Sequence, residues 1–145
     1  MQQDFSDFIM QLNRNNAEFV IIGGVALAFY GFPRYTGDLD IWIQPTLDNV
    51  KKVFKTIEDF FNSTLSVLPE DFITGNNMIT LGEEPVQIQI HLYLDGVTAE
   101  EIWSGRITGK FGSNDVYYIG KNVFIKNKKV VGRDQDIIDI KKIQP

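Results

Sequence analysis

The alternation of apolar and polar positions divides the chain into short helices and strands. Phe5, Phe8, Ile9 and Leu12 fall on one face of an opening helix, which the polar run "NRNN" at 13–16 ends. "EFVII" at 18–22 reads as a buried strand, Gly23 and Gly24 as a sharp turn, and "VALAFYGF" as a short helix closed by Gly31 and Pro33. "DLDIWI" at 38–43 is a second strand. Pro45 and Thr46 open an amphipathic helix that gathers Leu47, Val50, Phe54, Ile57 and Phe61 on one face, with Asp48 in its first turn. Residues 61–77 read as a connection with a short turn at 69–72. "MITL" at 78–81 and "VQIQIHLYL" at 86–94 read as strands, the second alternating strictly. Thr98 caps a short helix over 98–106, "DVYYI" is a brief strand, and helices over 121–130 and 134–143 flank Gly132.

No repeat, low-complexity tract or linker interrupts this order, so the 145 residues predict one α/β domain, 1–145. The expected architecture is a short mixed β-sheet with helices packed mainly on one face. An apolar fraction of 43% with 11 Phe supports a packed core and excludes disorder. The absence of cysteine removes disulfides, thiolate metal sites and thiol nucleophiles, and fits a cytoplasmic protein. No apolar run reaches the length that spans a bilayer, and the acidic "MQQDFSDF" is not a signal peptide, so no membrane partner is expected. A formal net charge of −5, with only "KNVFIKNKK" at 121–129 locally basic, argues against autonomous nucleic-acid binding.

The chemistry concentrates at residues 23–40. On a strand, residues two apart share a face and lie about 6–7 Å apart, so Asp38 and Asp40 project together while Leu39, Ile41 and Ile43 face the core. Two neighbouring carboxylates are costly unless a cation lies between them, and Mg²⁺ takes hard oxygen ligands of this kind together with substrate phosphates. Upstream, Gly23 and Gly24 at a strand-to-helix turn present backbone N–H groups to a phosphate. Arg34 and Thr36 add a guanidinium and a hydroxyl just before the acids. Taken singly, each feature has a plain structural reading: acids at a solvated strand end, and glycines in a tight turn. Trp42 shares the acids' face and either lines their pocket or packs, as Trp103 does.

"GGVALAFYGFPRYTGDLDI" resembles the signature of the DNA polymerase β-type nucleotidyltransferase superfamily, and is most similar to its small bacterial minimal and abortive-infection (toxin–antitoxin) members. The resemblance continues at "LDGVTAEEIW" and "KKVVGRDQDIIDI". It implies a nucleotidyltransferase fold and Mg-dependent transfer of a nucleoside monophosphate from a nucleoside triphosphate, ATP by expectation, to an acceptor hydroxyl. Asp38 and Asp40 match the family's first metal-binding pair, Gly23 and Gly24 its phosphate turn, and Arg34 its cation, with Thr36 and Lys128 joining the nucleotide-binding set.

The chain departs from the family at two positions. The third carboxylate falls at Gln89, which offers a carbonyl ligand but neither charge nor a base. A histidine before the second glycine is Tyr30 here. His91, the only histidine, shares the face of Gln89 and either assists there or is a polar residue of an edge strand. Asp136 and Asp139, one helical turn apart, have a structural reading in pairing with Arg133 or Lys141. The rival to a transferase is therefore a catalytically degenerate nucleotidyltransferase-like protein that binds a cognate toxin or antitoxin.

Overall fold

The two strands with the most apolar sequence lie at the middle of the sheet. They are β1 (Phe19–Ile22) and β2 (Asp38–Ile43), paired antiparallel with Ile22 opposite Asp40 and Phe19 opposite Ile43. The structure is a computed structural model that describes residues 2–33, 37–75, 78–83 and 86–144. β3 (Ile79–Glu83) and β4 (Val86–His91) extend the sheet on the β2 side, and β5 (Ile107–Phe111) and β6 (Asn114–Tyr118) on the β1 side. The order is β3-β4-β2-β1-β6-β5. β2 runs parallel to β4 and β1 parallel to β6, while the other neighbours are antiparallel, so the sheet is mixed.

Seven helices complete the described residues: α1 (Gln2–Arg14), α2 (Gly23–Phe29), α3 (Leu47–Phe61), α4 (Pro69–Gly75), α5 (Ala99–Ser104), α6 (Lys121–Val131) and α7 (Asp134–Ile143). α3 starts where the Thr46 hydroxyl accepts a hydrogen bond from the Asn49 amide, and it ends at Asn62 in the left-handed region. α5 carries a full capping box between Thr98 and Glu101. Buried Asn49 fastens the chain on either side of β1 and β2. Its amide nitrogen donates to the carbonyls of Glu18 and Gln44, and its side-chain oxygen accepts from the Glu18 amide.

Residues opposite one another in the ladders share a face. Ile22, Asp40 and Gln89 therefore point to one side, and Ile21, Ile41, Ile90 and Tyr118 to the other. The apolar side carries α2, whose Phe29 stacks on Tyr118 with ring centroids 4.0 Å apart. α1 packs on α3 through Phe8 and Phe60, and α3 on α4 through Phe54 and Phe72. The acid-bearing side is not bare. Trp103 of α5 lies 6.5 Å from Trp42, and α6 flanks the two aspartates across a cavity.

Three elements differ from the sequence reading. Residues 69–75 form α4, a helix rather than a turn: Pro69 opens it, Glu70 and Asp71 occupy its first turn, and Phe72 anchors it in the core. β5 carries no strand signal in the sequence, being an edge strand with mostly exposed residues and Gly109 at its centre. That glycine makes room for a ring: a Cβ there would sit 2.8 Å from atoms of both Phe29 and Tyr118. β4 stops at His91 rather than 94, and the Trp42 indole N–H takes the Leu92 carbonyl at 2.8 Å where the ladder ends.

Candidate active site

β2 supplies the acids. Leu39, Ile41 and Ile43 are fully buried, which fixes the strand and leaves Asp38 and Asp40 half-buried on the opposite face. β4 places two polar side chains against them. The Gln89 amide donates to Asp38 Oδ2 at 3.3 Å, and His91 Nε2 lies 3.1 Å from Asp40 Oδ1. In the ladder Gln89 stands opposite Asp40 and His91 opposite Trp42, so each side chain leans back to the preceding residue on the same face, two positions along β2, to reach its acid. β4 lies between β3 and β2, so His91 is not an edge residue but a cavity-facing partner of Asp40.

Gly23 has a specific duty. It adopts φ +68° as the first residue of α2, and a Cβ there would stand 2.8 Å from Asp40 Oδ2. The carboxylate thus occupies the space a side chain would fill. Gly24 is buried in the same first turn, so the two glycines begin the helix rather than precede it. Arg34 and Thr36, expected beside them, lie outside the described residues.

These groups line one cavity of about 540 Å³, together with Lys128 and Arg133 from α6 and the start of α7. The volume suits a ligand of nucleotide size. Lys128 and Arg133 converge on Asp136, which is fully buried. Lys128 Nζ is 3.0 Å from Oδ1, and Arg133 donates through Nε at 2.8 Å to Oδ2 and through a terminal nitrogen at 3.3 Å to Oδ1. Burial alone would push the Asp136 carboxyl up. The hydrogen bonds from Arg133 and Lys128, with the charge of Lys128, overcome it and hold the pKa at about 2 against an ordinary 3.8. The same pairing raises the Arg133 guanidinium, and the charges of Asp139 and Asp40 add to it, so strand β2 and helix α7 are electrostatically linked. The structural reading of Asp136 is thereby met with Arg133, and Lys128 joins it. Asp139, also buried, accepts from Gln135 at 2.8 Å, while Lys141 is exposed.

The sequence reading missed several lining residues. Asp95 adds a carboxylate from the loop after β4, and buried Asn127 of α6 donates to the Asp95 carbonyl at 2.9 Å. Met78 and Tyr93 form apolar parts of the wall. None of these stands in a motif of its own; they meet only through the fold. Trp42 does not line the cavity; it is buried and bonded to Leu92. Tyr30 turns its hydroxyl to the Ile119 carbonyl at 2.6 Å, and burial raises its phenol pKa.

Among the described residues no three His, Cys, Asp or Glu side chains cluster as a self-sufficient metal site. Asp38 and Asp40 nevertheless present two carboxylates to the cavity, the hard oxygen donors that Mg²⁺ takes, and the Gln89 NH2 group is turned towards Asp38. No helix in the described residues is long and apolar enough to cross a membrane. No protein-family model matches the chain, and a comparison with curated proteins finds no match.

Proposed function

We propose that this protein is a nucleotidyltransferase that transfers a nucleoside monophosphate from Mg²⁺–ATP to an acceptor hydroxyl. The reading rests on one observation above all: Asp38 and Asp40 face a nucleotide-sized cavity that Lys128 and Arg133 also line. In the reaction the acceptor hydroxyl oxygen bonds to the α-phosphorus, its proton passes to solvent, the α–β bridging bond breaks, and pyrophosphate leaves. Asp38 and Asp40 would hold Mg²⁺, which would supply charge neutralisation of the triphosphate. Gln89 steadies Asp38. Gly23 keeps Asp40 in place by leaving room for its carboxylate. Arg133 is largely exposed and Lys128 spends one contact on Asp136, so both retain N–H donors for phosphate oxygens. Gly24, Arg34 and Thr36 complete the phosphate side in this reading. The sequence resemblance to polymerase β-type nucleotidyltransferases and the mixed α/β sheet support it.

A second reading has its own observation. Gln89 presents an amide to Asp38 where a third carboxylate would supply a base, which favours a degenerate transferase that binds nucleotide or a toxin–antitoxin partner without turnover. Titration calorimetry of Mg²⁺–ATP followed by a pyrophosphate-release assay separates the two. Binding with turnover supports the transferase, and binding alone supports the degenerate protein. Neither binding nor turnover removes the transferase and leaves the degenerate protein only its protein partner.

A further inference from the structure

Tyr93 stands apart from the other exposed aromatic residues. Phe29, at 39% exposure, stacks on Tyr118, and Phe61, at 38%, packs on Phe8 and Phe60. Tyr117, at 36%, shares the Arg106 guanidinium with Trp103. Tyr93 is 49% exposed, and no ring or cation among the described residues packs on it. Its place is specific. It follows β4 directly and lines the cavity that holds Asp38 and Asp40. Met78, also 49% exposed, lines the same cavity just before β3. The antiparallel register, with Ile79 opposite Ile90, carries Met78 to the His91 side of the sheet.

Met78 and Tyr93 stand where β3 and β4 meet, the acids lie on the neighbouring β2, and Lys128 and Arg133 line the same cavity from α6 and the start of α7. A nucleoside triphosphate needs both kinds of surface, for a charged tail and for a flat, weakly hydrated ring. An exposed phenol ring next to a thioether provides a stacking surface with two faces of low polarity, and base–aromatic stacking tolerates every base because each has a π-face.

We infer that Tyr93, with Met78 beside it, is the platform on which the nucleobase of the bound nucleotide stacks. This deepens the nucleotidyltransferase reading and rests on it. The platform holds the base by its ring face, so it predicts affinity for nucleotides over base-free polyphosphate with little choice among bases.

The test is calorimetry of Mg²⁺–ATP and of Mg²⁺–tripolyphosphate, which lacks base and sugar, on the parent, Tyr93→Ala and Tyr93→Phe. Matched thermal melts check that the variants fold, as an exposed position allows. Tyr93→Ala is expected to weaken ATP at least tenfold and leave tripolyphosphate unchanged, while Tyr93→Phe keeps ATP affinity within about twofold. ATP binding to Tyr93→Ala at parental affinity overturns the platform while the nucleotide site stands. So does an equal loss of both ligands. A parent that binds neither ligand overturns the nucleotide reading and the platform together.

Discussion

At the scale of single residues, the site turns on what Gly23 lacks and what Gln89 is. Any side chain at residue 23 meets two penalties, a left-handed backbone and the Asp40 carboxylate 2.8 Å away. Gly23→Ala is expected to cost roughly 1–2 kcal/mol of stability from the backbone alone. It should also displace Asp40 and weaken Mg²⁺-dependent ATP binding, both readable by denaturant melts and calorimetry on one preparation. Unchanged ATP affinity in a folded Gly23→Ala protein would separate Asp40 from the nucleotide site. Gln89→Asp asks a different question. It places a carboxylate near Asp38 on a side chain one methylene shorter, offering both a base and a charged ligand. Pyrophosphate release should rise in the variant and vanish when Asp38→Asn is added. A Gln89→Asp protein that binds Mg²⁺–ATP and stays inert would mark the chain as a binding protein. The acids were legible from sequence because strand alternation alone puts Asp38 and Asp40 on one face. The engagement of His91 with Asp40 was not, because it joins residues 51 apart in sequence and needs the parallel register of β2 and β4 to bring them together.

At the scale of elements, α6 and α7 are joined by a polar clamp. Lys128 of α6 and Arg133 ahead of α7 both close on buried Asp136. Because the folded carboxyl titrates at about 2, below its ordinary 3.8, the clamp contributes stability that is fully present above about pH 4. That contribution is lost as the pH falls through 2. Asp136→Asn keeps the shape and removes the charge, leaving two cations without their shared partner. A loss of roughly 2–3 kcal/mol is expected at pH 6, towards the low end for a buried pair because Arg133 is largely exposed. The gap between parent and variant melts should close as the buffer is taken from pH 5 towards 2; a constant gap would assign the effect to packing. The helices themselves were plain in the sequence, with Gly132 marking their junction. The partner of Lys128 was not, because Asp136 has an equally good local partner in Arg133, three residues away. Similarly, α4 carried every start signal of a helix within a stretch whose apolar residues had no visible period until Phe54 gave Phe72 something to pack on.

At the scale of the whole molecule, binding and folding are coupled. A ligand that binds only the folded protein at a hundred times its dissociation constant adds about 2.7 kcal/mol. For a chain of this size that corresponds to an upward shift of roughly 5–10 °C in melting temperature. Mg²⁺–ATP is expected to produce it, ATP with a chelator to produce much less, and Asp40→Asn to abolish the magnesium-dependent part. An identical shift with and without magnesium would place the nucleotide away from the carboxylates. The position of β2 in the sheet carries one more consequence. It is hydrogen-bonded on both sides, to β1 and β4, and its core-facing residues are fully buried, whereas β3 and β5 form the two margins. Backbone amides of β2 should therefore take up deuterium only when the entire domain opens, long after the marginal strands have exchanged. Asp38 and Asp40 ride on the last part of the molecule to let go. Their spacing is thus held by the global folding equilibrium, and local breathing at the rim leaves it untouched.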